Sequence, residues 1–391
     1  MLAVTLCFEG IQMKIYDNEP LAPHTTMAIG GNAKKYVEAE SVQDLIDALA
    51  LAHGESMPVF ILGAGSNTLI SDQGFDGYVI HPVFKQVEWL PQEDGSTLVQ
   101  IDAGADFDEV VAESCRRNLG GIESLSGIPG SAGGSLVQNI GAYGQEISEV
   151  FVSAQAIHID DLSTIELQRY NLAFAYRQTA LKTPDNPFVV TRITLRLNPF
   201  DADTAAARCE KHGFKRIALT KPKTASDLRN IVIETRKSKA MCYDKDDYNT
   251  HGVGSFFVNP VVSNVDAQRL NAASIIKNHK PMPSFPADDG KIKLSAAWLI
   301  EQAGYNKGYC FKGASLSEYH CLAIVNRQNA TCDDIIEFAK DIAKRVYLQF
   351  RVQLHPEVIY LTPHGIETIP GIPAEEAEVD GAPLRPNPLF L

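Results

Sequence analysis

Residues 121–146 read GIESLSGIPGSAGGSLVQNIGAYGQE, and seven of these 26 positions are glycine. Ile, Leu, Val and Tyr sit between the glycines and charge is sparse. A flexible linker is polar and repetitive. This stretch instead demands a backbone that turns tightly several times in packed surroundings, with something so close that side chains have no room. A shorter glycine turn, LGAGSN at 62–67, directly follows the apolar run PVFI. Gly63 and Gly65 fit the first two positions of the dinucleotide fingerprint GxGxxG, but Thr68 stands at the third, so the fingerprint fails. Two glycines followed by Ser66, Asn67 and Thr68 suit either a nest of N–H groups around an anion or an ordinary strand-ending turn.

Around these turns, helices and strands alternate. Ser41, with Asp44 three residues on, predicts a capped helix to about residue 52, with Val42, Leu45, Ile46 and Leu49 on one apolar face. A second helix runs through DFDEVVAESCRRNLGG, with Phe107, Val110, Val111 and Cys115 inward and Gly120 and Gly121 ending it. VFVSAQAIHI and FVVTRITLRL read as strands. The pattern changes near 199–205. Beyond it come a helix in KLSAAWLIEQAG, a long helix capped by Thr331 with Ile335, Phe338, Ala339, Ile342 and Val346 inward, and a closing strand in VQLHPEVIYL. From Thr362 onward six prolines in 30 residues and mostly acidic charge predict a disordered tail.

Composition excludes several functions. The 391 residues contain no run of 18 apolar residues, so no membrane insertion is expected. The apolar stretch at the N-terminus lacks a basic segment before it, which argues against a signal peptide. Seven scattered cysteines without a CxxC pair, and ten histidines without HExxH, point to no metal site and to a reducing, cytoplasmic location. The net charge is −13, yet residues 208–240 carry ten Lys/Arg against three Asp/Glu. An acidic protein with one basic segment is not a general nucleic-acid binder. That segment reads either as a solvated helical face or as a local seat for a small polyanion.

LGAGSN together with GIPGSAGGSLVQNIGAYG, then YR at 176–177, GSFFVNP at 254–260 and PEV at 356–358, in this order and spacing, resembles the UDP-N-acetylenolpyruvoylglucosamine reductase (MurB) family from about Thr25 to about Leu361. The resemblance implies an α+β chain. After an N-terminal extension at 1–24, a two-lobed FAD-binding region of the p-cresol methylhydroxylase and vanillyl-alcohol oxidase type occupies 25–200. A C-terminal α+β substrate-binding domain follows at 201–361, and the tail at 362–391. The insertion before KLSAAWLIEQAG looks like the longer of the family's two architectures. It further implies a cytoplasmic monomer that holds FAD without a covalent bond and takes NADPH and UDP-N-acetylglucosamine enolpyruvate as substrates.

By the same resemblance, Gly63, Ala64, Gly65, Ser66 and Asn67 of the first loop contact FAD. From the second come Pro129, Gly130, Gly133 and Gly134, then Gln138, Asn139, Gly141, Ala142 and Tyr143. Backbone N–H groups there would meet two phosphates without side chains intervening. The family reaction reduces an enol-ether double bond conjugated to a carboxylate. It needs a cation at the carboxylate, a group at the developing enediolate and a proton donor for the α-carbon. Arg177, Glu357 and Ser255 match those roles, and Tyr176, Lys239 and Asn259 match substrate contacts. Some positions depart from the family pattern: no tyrosine in LKTPDNPFVV closes over the diphosphate, Leu316-Ser317 replaces Val-His, Phe285 replaces a tyrosine, and Ile359 follows the glutamate by two. The alternatives are another flavin oxidase of this fold, or a flavin-binding module without activity.

Overall fold

The computed structural model describes residues 3–5, 13–212, 214 and 220–372. In the first lobe a five-stranded sheet runs in the spatial order Ala3–Thr5, Lys14–Pro20, Asn32–Ala39, Phe75–Pro82, Val59–Ile61. The last three strands pair in parallel and the first two pairings are antiparallel. The helix Val42–Gly54 crosses between Asn32–Ala39 and Val59–Ile61, and Ser41 and Asp44 form the expected reciprocal cap. Its inward face is Leu45, Ala48, Leu49 and Ala52, while Val42 is exposed and Ile46 half-buried.

The second lobe is an antiparallel sheet in the order Thr164–Gln168, Phe151–His158, Phe188–Pro199, Thr97–Asp102, Val87–Pro91. The helix Phe107–Arg116 covers it with Phe107, Val110, Val111 and Cys115, as the apolar spacing predicts. The remaining core gathers around the helix Cys332–Phe350, whose predicted inward residues are all fully buried.

Two features of the chain's path bring the site together. The closing strand Ile359–Thr362 pairs in parallel with Thr68–Ile70, the segment that leaves the first glycine loop. Residues 355–358 therefore lie against Asn67, although some 290 positions separate them. The helices Ala202–Lys211 and Ala225–Lys237 pack on the second lobe rather than on the C-terminal core, whose buried cluster begins again only at Val253. Arg208 donates to the buried Glu123 at 2.7 Å, and Arg229 grips both oxygens of Asp108 at 2.5 and 2.8 Å. Arg208 thus holds the glycine-rich stretch directly, and Arg229 does so through Asp108, which accepts from the Gly127 N–H at 2.6 Å.

The expected ends of the folded region need correction. Lys14–Pro20 is not outside it: the strand pairs along Asn32–Ala39, and Met13, Ile15 and Leu21 are buried. The chain also continues to pack beyond Thr362. Gly365–Glu367 pairs with the closing strand, and Ile369 and Ile372 enter the C-terminal core. Burying two isoleucines contributes roughly 1.5–3 kcal/mol each, so truncation after Thr362 is destabilising. Residues 373–391 of the expected tail lie outside the described residues.

Candidate active site

A cavity of about 430 Å³ opens between the two lobes and the C-terminal half. One end is made of backbone. Gly65 has φ +62°, and a Cβ there would lie 2.1 Å from the His24 carbonyl oxygen, so only glycine lets this turn rest on residues 24–25. Ser66 Oγ donates to the Pro129 carbonyl at 2.8 Å and ties the two glycine loops together. Ser131 caps the short helix Ala132–Val137. At Gly130 and Gly134 an added Cβ would meet only serine hydroxyls, the nearest at 3.2 Å from position 134, and these two positions leave a groove against the backbone. Gln138 also lines the cavity, and its Oε1 is buried without a partner. An open backbone groove and one orphaned polar atom fit a dinucleotide.

Gly133 and Gly141 also line the cavity, but they and Gly144 are crowded by protein neighbours as well. A Cβ on Gly133 would press on Ala103 at 2.9 Å, and one on Gly144 on the His212 ring at 2.4 Å. On Gly141 it would lie 2.7 Å from Arg177 Nη1. Asn139, Ala142 and Tyr143, expected at the cofactor, do not line the cavity. Asn139 is fully buried: its Nδ2 donates to the Ala175 carbonyl and Glu146, and its Oδ1 accepts from the Ser148 N–H. Tyr143 packs edge-on against Phe214 at 4.6 Å. Both shape the loop rather than face the groove.

At the opposite end side chains take over. Tyr176 and Arg177 occupy the corner of a tight hairpin closed by reciprocal bonds between Ala175 and Gln178. Arg177 sits at φ +57°, a left-handed conformation that costs a non-glycine residue about 1–3 kcal/mol and persists only where the surroundings impose it. Its guanidinium donates to the Asn139 and Gly141 carbonyls, and its Nε lies 3.3 Å from Glu357 Oε1. Glu357 is fixed from three sides: its N–H donates to Phe256, and its carbonyl accepts from Asn67 Nδ2 at 3.2 Å and Lys182 Nζ at 2.9 Å. Burial pushes its carboxyl above the usual carboxylate range, while Arg177 and Lys182 pull the other way. Ser255 lines the same end. It follows Gly254 at φ +70° and precedes Phe256 and Phe257, both fully buried and packed edge to face.

Tyr176 and Asn259 lie just outside the cavity lining and meet each other through the tyrosine hydroxyl. Asn259 Oδ1 also accepts from the Ala296 N–H, and Lys293 Nζ sits 4.5 Å over the Tyr176 ring. Lys239 too is outside the lining, in a cationic group with Arg236 and Lys307. Burial, then those two cations, hold its ammonium below its ordinary value. Burial and the same lysines push His320 down to about 4. Arg236 reaches the cavity itself, with its Nε buried and unpartnered. Sequence reasoning passed over Lys182, Arg236, Lys307 and His320. Only Arg236 carried a signal, as part of the basic segment that ends at Lys239.

Residues 246–361 match the UDP-N-acetylenolpyruvoylglucosamine reductase C-terminal domain, and residues 33–161 match an FAD binding domain. A UDP-N-acetylenolpyruvoylglucosamine reductase of Saccharopolyspora erythraea is 36% identical over 87% of this chain and 93% of its own. The chain belongs to the UDP-N-acetylenolpyruvoylglucosamine reductase family. Another relative, UDP-N-acetylenolpyruvoylglucosamine reductase 2 of Corynebacterium glutamicum, is 38% identical over 90% of this chain and 95% of its own. The solved structure of a family member from Thermus caldophilus superposes with a TM-score of 0.59 at 22% identity, covering 89% of this chain and 98% of that one, and so shares the fold. Among the described residues no helix is long and apolar enough to cross a membrane.

Proposed function

We propose that this chain is an FAD-dependent oxidoreductase that uses NADPH to reduce UDP-N-acetylglucosamine enolpyruvate to UDP-N-acetylmuramate, a step of peptidoglycan precursor synthesis. The observation that carries the reading is the meeting of Arg177 and Glu357, 3.3 Å apart and brought from opposite halves, at the end of the cavity that Ser255 also lines. The loops at 63–67 and 129–134 and Gln138 would hold FAD without a covalent bond, and FAD would supply the hydride carrier between NADPH and the substrate double bond.

Arg177 pairs with the substrate carboxylate, because a planar guanidinium meets a carboxylate in two parallel hydrogen bonds. Its two backbone acceptors fix the group's direction beforehand. As the double bond gains a hydride at its β-carbon, charge collects on the carboxylate, where the Arg177 guanidinium and the protonated Glu357 carboxyl, whose burial favours the neutral acid, stabilise it. The Ser255 hydroxyl gives its proton to the α-carbon. A serine is an adequate acid here because the accepting carbon is strongly basic and the protein walls keep bulk water out. Tyr176, Asn259 and the cations at Lys239 and Arg236 hold the sugar nucleotide, and this gives the end of the basic segment its use. The enzyme works as a cytoplasmic monomer in this reading.

Anaerobic addition of NADPH to the yellow protein should bleach it, and the enolpyruvyl sugar nucleotide should restore the colour with one product per flavin. Recovery of colour with oxygen or a simple sugar, and not with the enolpyruvyl compound, would assign the chain to another flavin oxidase. A protein that NADPH leaves yellow would be a binding module.

A further inference from the structure

Lys182 is not accounted for by the chemistry above. It lines the cavity five residues after Arg177, on the segment that follows the hairpin, and its Nζ donates to the Glu357 carbonyl at 2.9 Å. Asn67 of the first glycine loop donates to the same oxygen at 3.2 Å. A lysine in a cavity wall that spends a hydrogen bond on one backbone oxygen is costly to desolvate, and its ammonium is held below its ordinary value by that burial and by Arg177, with Glu357 opposing. The charged groups that face Glu357 are Arg177 and Lys182; Tyr176 is the other titratable neighbour, while Asn67 and Ser255 are neutral.

This arrangement matters when substrate arrives. On the proposed function, on which this inference rests for its kinetic part, the substrate carboxylate takes Arg177. Among the described residues Arg177 is the one cation within ion-pair distance of the Glu357 carboxyl, and the substrate carboxylate would share it. We propose that Lys182 is a positioning residue for the reduction of the double bond: its Nζ pins the Glu357 backbone between the two halves, and once Arg177 is engaged it is the cation beside Glu357 that still governs where the carboxyl takes up its proton. Loss of the ammonium therefore leaves Glu357 more readily protonated, and gives a backbone carbonyl one donor in place of two.

The test compares wild type, Lys182→Met and Lys182→Arg. The protonated-carboxyl infrared band that Glu357→Gln removes is titrated in the flavin-loaded protein, and stopped-flow absorbance follows each half-reaction against pH. In Lys182→Met the band should titrate about one pH unit or more above wild type, as expected on removing an opposite charge. The profile of flavin reoxidation by the enolpyruvyl compound should move the same way, while flavin reduction by NADPH keeps its profile. Lys182→Arg should restore both, and matched melting temperatures would show that the fold is intact. A band that stays or moves down overturns the proposal, and so does an unmoved reoxidation profile. If NADPH fails to bleach wild type, the functional reading falls, and the infrared titration alone still decides whether Lys182 governs Glu357.

Discussion

The two ends of the cavity are built from different materials. At the glycine end, Gly63–Asn67 and Pro129–Gly134 present backbone and serine hydroxyls, with no charged side chain among them. At the seam end, Arg177, Lys182, Ser255 and Glu357 come from three separate segments and meet only because the closing strand returns to the first loop. A group bound by backbone can be held wherever a chain turns tightly. A charge that develops during reaction needs side chains aimed at one point, and that aim depends on contacts across the whole fold. Damage at the glycine end should therefore appear as lost flavin, and damage at the seam as lost chemistry with flavin retained.

The largest expected effect is at the glycine end. Gly65→Ala places a Cβ 2.1 Å from the His24 carbonyl oxygen in a left-handed turn, so the loop cannot keep its shape. The variant should purify with little or no flavin, measured by absorbance per protein. A full complement would show that this loop does not hold the cofactor.

Next comes the support behind the second loop. Arg208→Ala strands the buried Glu123 carboxylate, which also accepts from the Gly121 N–H. Removing one partner of such a pair costs about 3–5 kcal/mol, and denaturant unfolding should register it.

A pH effect follows beside Lys239 and Lys307, outside the cavity wall. The folded protein holds His320 at about 4, against 6.5 when unfolded. The unfolded chain binds the proton first, so this contribution is complete above pH 6.5 and is lost as pH falls toward about 4. It amounts to about 3 kcal/mol. Melting curves of wild type should fall more steeply over that range than those of His320→Gln; parallel curves would remove His320 from the account.

Gly141→Ala probes the join between the two ends, because a Cβ there would press on Arg177 Nη1 and on the Gln145 carbonyl oxygen, each at 2.7 Å, at a position that itself lines the cavity. Flavin should be retained and its reoxidation slowed by up to ~10²-fold, the usual penalty for a misplaced reacting group. Loss of flavin instead would put Gly141 at the cofactor.

These contrasts mark what was legible in the sequence. The caps at Ser41 and Thr331 and the inward face of 335–346 are local patterns of period 3.6, and the structure repeats them. The five motifs named Arg177, Glu357 and Ser255, and the structure sets all three in the wall of one cavity. A glycine in a sequence does not say whether a ligand or the protein crowds it: Gly141 lines the cavity and also leaves the room that Arg177 and the Gln145 carbonyl would lose to a Cβ. Asn139 looked like a ligand donor, yet its amide spans Ala175, Glu146 and Ser148. Lys182 gave no signal because its partner lies 175 residues away. Ile369 and Ile372, isolated among prolines and glycines, carry no periodicity from which burial could be read.

On the proposed function, the seam end serves only the second half of the reaction. Ser255→Ala followed by stopped flow tests it most directly. Reduction of the flavin by NADPH should proceed close to the wild-type rate, because it needs no proton from this hydroxyl. Reoxidation by the enolpyruvyl compound should fall by ~10²–10⁴-fold, the range for loss of a positioned acid, and Ser255→Cys should recover part of it. Equal slowing of both half-reactions would mean that Ser255 supports the cofactor or the fold, and would contradict the division of the cavity into two ends.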